Sequence, residues 1–270
     1  MFIAFDFGIT NTDVVVSRYN KNKFFSFPSK PCNKQFIDFI LETIGVEIEK
    51  VRNIGVTGGK SSDLEDNFRD IPITKINEID AIGHGAIALY DIANKSFVSV
   101  SAGTGTACIH HNDGNFYHLG GISVGGGTLQ GITKHLIKNN DLNFIEELAR
   151  KGDRKKLDFL IGDVVNKIGS LYPEITASNF GKAKSLDKIS NEDTAASISN
   201  MIGEVIGTIS YLNALLCREK EVYFLGRASL NEVIKSGIED RLKLANIKGI
   251  FKENREYGNV LGALRFLKIN

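Results

Sequence analysis

Asp6, Gly8, Thr10 and Asn11 crowd into one short stretch at the end of an apolar run, Phe2-Ile3-Ala4-Phe5-Asp6-Phe7. A second stretch of the same kind, Gly103-Thr104-Gly105-Thr106, follows Phe97-Val98-Ser99-Val100-Ser101-Ala102. Turns of this composition expose backbone N–H groups and hydroxyls, the groups that bind phosphate oxygens. Asp6, at its strand end, could hold Mg²⁺, usually through water. One such loop is a weak signal; two suggest a phosphate chain gripped from both sides. A third signal is the run Leu119–Gly131, where Gly120, Gly121, Gly125, Gly126 and Gly127 place five glycines within eight residues. So little side chain lets a ligand or another strand approach the backbone. The run leads into a helix beginning near Thr128, whose positive N-terminal end favours an anion. A tight crossover with no ligand is the plainer alternative.

Glu78 follows a strand and opens a helix. A carboxylate there could take the proton of a hydroxyl that attacks phosphorus. Position alone favours a plainer role in the helix cap, because acidic residues are enriched in first turns. His110, His111 and His118 gather around one hairpin, but alternation places His110 and His111 on opposite faces. No acidic or cysteine ligand stands at convincing spacing beside them, so a metal site is rejected. Cys32, Cys108 and Cys217 form no pair with metal-ligand spacing, which argues against zinc and against a disulfide framework.

The elements that must position these groups repeat. Strand-like runs at Phe2–Phe7, Asp13–Tyr19 and Lys23–Phe27 precede a helix at Lys34–Ile44 with one apolar face. A strand at Val51–Val56 stops at Thr57-Gly58-Gly59, a turn that could admit phosphate or substrate. Another strand, Ile71–Ile76, leads into a helix from Asn77 to about Ala93. Then strands at Phe97–Val100, Thr106–His111 and Phe116–Leu119 restart the pattern, with a hairpin turn at Asn112-Asp113-Gly114-Asn115. Helices are expected at Leu142–Lys151, Leu157–Ile168, Ala195–Leu216, Leu230–Ser236 and Gly258–Leu267, with strands at Glu221–Leu225 and Ile247–Phe251. The long helix carries an apolar face of Ile198, Met201, Ile202, Val205, Ile206, Ile209 and Leu212. A repeat of architecture without a repeat of sequence describes an α/β fold of two similar lobes, residues 1–95 and 96–270, with a nucleotide between them.

Composition excludes more than it assigns. The 270 residues are 42% hydrophobic and 24% charged, with a formal net charge of +1. That balance gives no reason to expect nucleic acid or an anionic membrane as partner. No apolar run reaches the roughly 18 residues of a membrane span, and the N-terminus has no cleavable leader pattern, so a soluble cytoplasmic protein is expected.

Together these motifs resemble the type II pantothenate kinases, the eukaryotic-like or fumble group of the acetate kinase/Hsp70/actin superfamily. The similarity spans nearly the whole chain. Ile3–Thr10 and Ala102–Thr106 match the two phosphate motifs, Glu78-Ile79-Asp80-Ala81 the segment of the catalytic glutamate, and Gly120–Gly131 the most family-specific piece. Thr176–Gly181 adds to it, and Val222–Gly226 and Gly258–Leu264 resemble the adenosine-side strand and closing helix. The resemblance implies two ribonuclease H-like (actin-like ATPase) lobes around a nucleotide cleft, and ATP- and Mg²⁺-dependent phosphorylation of pantothenate, the first step toward coenzyme A. Glu78 would be the general base and Asp6 would place Mg²⁺. Gly8, Thr10, Asn11, Gly103, Thr104, Gly105, Thr106, Gly125 and Gly126 would meet the ATP phosphates. Ser101, His118 and Gly121 would lie at the substrate, and Gly226 and Gly262 near the nucleoside. It further implies a homodimer and coenzyme A or its thioesters as regulators.

The chain departs from the family pattern at three positions. Asp13 stands where members commonly carry lysine, His118 where they carry an arginine that contacts the acyl substrate, and Ile9 where glycine is common. An anion beside a polyphosphate weakens ATP binding, by on the order of a few kcal/mol in a poorly hydrated site. Lys60 and Arg227 are cations that could take the lysine's place. Imidazole lacks the guanidinium fork and holds a carboxylate less firmly. The alternatives are a kinase for another small hydroxylated acceptor, or a nucleotide- or acyl-CoA-binding protein that lost catalysis.

Overall fold

Val14 and Val15 point to opposite faces of one strand, and each meets a different layer of core. Val14 packs with Phe5, Phe36, Ile37 and Ile40, whereas Val15 packs with Ala4, Val260, Ala263 and Leu264. Period-two alternation with both faces apolar means a sheet covered on both sides. The computed structural model describes residues 1–19, 21–166 and 172–269 and shows two such sheets.

The first half runs β1 (Phe2–Phe7), β2 (Asn11–Arg18), β3 (Lys21–Pro28), α1 (Lys34–Thr43), β4 (Asn53–Thr57), β5 (Asn67–Phe68), β6 (Ile71–Lys75) and α2 (Glu78–Tyr90). The second begins with β7 (Phe97–Ala102), β8 (Thr106–Asn112), β9 (Asn115–Ile122), α3 (Gly126–Leu136) and α4 (Leu142–Lys151). It continues with β10 (Phe159–Leu160), α5 (Ile161–Val164), β11 (Thr176–Ser178), α6 (Asn191–Cys217), β12 (Glu221–Leu225), α7 (Glu232–Leu244), β13 (Lys248–Ile250) and α8 (Gly258–Ile269).

The strand orders are β3-β2-β1-β4-β6-β5 and β13-β12-β7-β8-β9. In each sheet an antiparallel three-strand ribbon is extended by two strands parallel to its first member: β1 with β4 and β6, β7 with β12 and β13. The lobes therefore share one topology, with β5 an added edge. Two helices are exchanged between them. Helix α2, encoded in the first half, covers the second sheet through Ile82 and Ala86 against Phe97, Ile109 and Leu225. The last helix, α8, covers the first sheet. They cross closely. A first side-chain carbon at Gly262 would fall 1.8 Å from the Ala81 carbonyl oxygen, and one at Gly85 would fall 2.2 Å from that of Gly258.

Several elements differ from the sequence reading. Residues 157–168 do not make one amphipathic helix; a strand at Phe159–Leu160 and the short α5 replace it, and Ile168 lies outside the described residues. The cause is tertiary. Asp158 is fully buried, accepting from the Phe180 N–H at 2.8 Å and from the Ser197 hydroxyl, which pins the segment extended beside β11. Helix α7 runs on through Gly237 to Leu244, because that glycine meets Gly203 of α6 where the two helices touch. The long helix buries Ile198, Ile202 and Ile206 but leaves Val205 and Leu212 exposed. Among the described residues no helix is long and apolar enough to cross a membrane.

The helix crossing makes a paired prediction. Gly262→Ala should destabilise the protein by at least about 2 kcal/mol in urea unfolding, because helix backbones must separate. Gly131→Ala, in α3 with open space around it, should stabilise by up to about 1 kcal/mol.

Candidate active site

The two threonine-rich loops, far apart in sequence, touch: Thr10 Oγ1 and Thr104 Oγ1 are 3.0 Å apart. Each loop is braced from behind. Ser29 donates its hydroxyl to the Gly8 carbonyl at 2.6 Å and its N–H to that of Thr10 at 3.0 Å. The N–H groups of Gly126 and Gly127 donate to the Gly103 and Thr104 carbonyls at 2.8 and 3.0 Å. The Thr106 hydroxyl is spent on the Val124 carbonyl. A side chain at Gly125 would stand 2.7 Å from the carbonyl oxygens of both Gly103 and Thr104. The close approach that Gly125–Gly127 permit is therefore to the neighbouring loop, which they seat on the N-terminus of α3. Gly58, at φ +74°, is likewise pressed against a carboxylate oxygen of Asp6.

At the foot of the joined loops the elements exchange hydrogen bonds. Asp6 is bonded by the side chain of Asn259, in the first turn of α8, and that side chain also accepts from Ser101 at 3.2 Å. Asp6 and Asp13 stand directly opposite in the β1–β2 ladder. Burial, then Asp13, then Glu78 push the Asp6 carboxyl up to about 7, while Asn259 and Arg227 oppose the shift. Arg227, just after Gly226, forks onto Asp13 at 2.5 and 2.7 Å and reaches Ser26 at 2.9 Å. A carboxylate so short of positive charge suits a divalent cation. Among the described residues no three His, Cys, Asp or Glu side chains cluster to enclose a metal. A cation on Asp6 would therefore draw its other ligands from water and phosphate oxygens.

Glu78 occupies the first position of α2, but the cap is made by Asn77, whose side chain accepts from the Asp80 N–H at 2.8 Å. Glu78 is left exposed on a cavity of about 420 Å³, lined also by Asp80, Ile82, Ala107, Phe116 and His118. Its charge is felt at Asp6. The other two histidines face opposite ways. His111 is buried, its Nδ1 2.7 Å from the Lys95 carbonyl, and His110 meets Ser96 at 3.0 Å on the far side.

The Fumble family profile matches residues 96–235. The type II pantothenate kinase of Bacillus thuringiensis subsp. konkukian is 30% identical over 97% of this chain and 96% of its own length. That of Bacillus anthracis is 30% identical over 98% and 96%. The chain belongs to the Fumble, or type II pantothenate kinase, family. Solved structures show the same fold at low identity. The activator of 2-hydroxyisocaproyl-CoA dehydratase from Clostridium difficile, with bound ADPNP, superposes with a TM-score of 0.63 at 15% identity, over 98% of this chain and 92% of that one. A ROK family glucokinase from Streptomyces griseus, with glucose and AMPPNP, gives 0.61 at 11%, over 99% of both. These are two-lobed actin-like nucleotide-binding folds, as the repeated sheets are here.

Of the residues that the Fumble resemblance named, Asp6, Gly8, Thr10, Asn11, Ser101 and Gly103–Thr106 converge at the junction of the lobes. His118 joins Glu78 at the cavity, and Gly121 pairs with Ala107 on its wall. Gly226, at φ +88°, packs on the Ala102 carbonyl at the same junction. Gly262 lies elsewhere, buried at the α2–α8 crossing, where its role is helix packing. Asn259 and Ser29 were not singled out from sequence. Each bonds a segment distant in the chain, so no local pattern marks it.

The raised Asp6 has a consequence for stability. The folded state holds its proton more tightly than the unfolded chain, so ionisation costs stability as pH rises from 3.8 to about 7. Asp6→Asn should therefore stabilise the fold at pH 8, by on the order of a few kcal/mol at most, and lose that advantage near pH 4. Thermal unfolding at both pH values measures it.

Proposed function

We propose that this protein transfers the γ-phosphoryl group of ATP to the primary hydroxyl of pantothenate. The observation that carries this reading is the shared cavity of Glu78 and His118, bounded by Ala107, which directly follows the second phosphate loop. The hydroxyl oxygen attacks phosphorus, Glu78 accepts its proton, and ADP leaves. With the helix cap assigned to Asn77, Glu78 is free for this work. The joined loops would hold the phosphates, and Asp6 would hold Mg²⁺, which when bound supplies positive charge to the phosphates. Exposed Val205, Leu212, Leu215 and Leu216 on α6, the last 75% exposed, support a homodimer through that helix.

A second reading changes the acceptor. Among the described residues, those lining the cavity include Glu78 and Asp80 but no arginine or lysine. That favours a neutral amide alcohol or sugar over a carboxylate.

ADP release with and without pantothenate, with phosphopantothenate identified by mass, tests the first reading against a panel of neutral acceptors. Glu78→Gln should lower turnover by about 10²-fold or more while the melting temperature stays unchanged. Near-normal turnover would remove Glu78 from the mechanism. His118→Arg should lower the KM for pantothenate about tenfold by restoring a fork for its carboxylate. If the acceptor is neutral, the arginine brings no gain.

A further inference from the structure

The wall of the cleft contributed by the first half of the chain is acidic. Asp6 and Asp13 face each other across one ladder, and Glu78 acts on Asp6 from the head of α2. A polyphosphate brought against three carboxylates needs a cation of the protein as well as a metal ion. Lys60 lies exposed in the turn after β4. Arg227 is placed differently. Its backbone is fixed between the second phosphate loop and α3. Gly226 packs on the Ala102 carbonyl and donates its N–H to the Arg255 carbonyl at 2.8 Å, and a side chain at Gly126 would lie 3.9 Å from the Ala228 methyl. The side chain then spans the cleft to Asp13, which is 5% exposed. It crosses the Tyr257 ring 5.5 Å from its centroid. Asp13 and Ser26 engage three of the five guanidinium N–H donors, Tyr257 is a further hydrogen-bond partner, and 28% of the side chain remains exposed.

We propose that Arg227 is the protein's cation for the nucleotide polyphosphate, supplied by the second lobe and held in place across the cleft by Asp13. On this view Asp13 and Arg227 are one change. A carboxylate stands where the resemblance places a lysine, and it orients a guanidinium from the other side. The inference rests on the ATP-dependent reading above. It adds which residue meets the phosphates and why an acidic residue at position 13 is tolerated.

The test is direct binding of ATP and of adenosine, with Mg²⁺, by calorimetry on the full chain. Arg227→Gln should weaken ATP about tenfold or more and adenosine less than about twofold. Asp13→Asn should weaken ATP less than Arg227→Gln does, about threefold, because the guanidinium remains but loses its ionic clasp, and should leave adenosine within about twofold. The neutral pair D13N/R227Q should remain as weak for ATP as R227Q alone. Recovery of ATP affinity in that pair would overturn the proposal, since Arg227 would then only mask Asp13. Equal losses for ATP and adenosine in R227Q would also overturn it, reducing the contact to a clasp between lobes. Should R227Q fail to fold by thermal unfolding, R227K serves in its place, with an intermediate loss specific to ATP expected. Wild-type protein that binds ATP and turns over pantothenate, beside an unaffected R227Q, would remove only this inference. Wild type that does neither would remove the functional reading with it.

Discussion

The close crossing of α2 and α8 is the constraint on which the site depends. Helix α2 belongs to the first half by sequence and to the second sheet by packing; α8 does the reverse. Where they touch, Gly85, Gly258 and Gly262 leave no room for a side chain. This exchange sets Glu78, at the head of α2, near Asp6 of the other sheet. It also sets Asn259, at the head of α8, between Asp6 and Ser101. Four groups from four segments meet because two helices can approach backbone to backbone. A bulky residue at the crossing would act on the active site from a distance, by moving the helices that end there.

The electrostatics of the junction are costly to the fold and useful to the ligand. Asp6 lies opposite Asp13 on adjacent strands, an arrangement that sheets ordinarily avoid. Arg227 offsets half of this pair with a bidentate bridge and leaves Asp6 short of a cation. A site poised in this way prefers ligands that bring positive charge with them, as a metal–nucleotide complex does. Stability is given up where binding needs it, a common pattern at functional sites.

Much of this was legible in the sequence because it is local. The two loops that touch are short glycine- and threonine-rich turns after apolar strands, and the lobes repeat the same order of elements. The family resemblance suggests a role for Glu78, which position alone would assign to a cap; the structure gives that cap to Asn77. What stayed hidden depends on contacts between distant segments. The buried Asp158 overrides the helical periodicity of residues 157–168. Gly237 looks like a helix stop and is instead a contact with α6. The glycines 125–127 admit either a ligand or another segment in sequence, and the structure shows the loop that they seat. The partner of Asp13 stands far along the chain, and no pattern near either residue names the other.

The position of α8 after the second lobe in the chain also bears on how the protein is made. Ala4 and Val15 line the face of the first sheet that α8 covers. During synthesis that ribbon emerges before the strands of the second lobe, and its cover emerges only after them. The first lobe therefore waits, with one apolar face open, until the second has been made. The first sheet and the cleft between the lobes become complete together, so a chain cut before α8 cannot assemble the Asp6–Asn259–Ser101 junction.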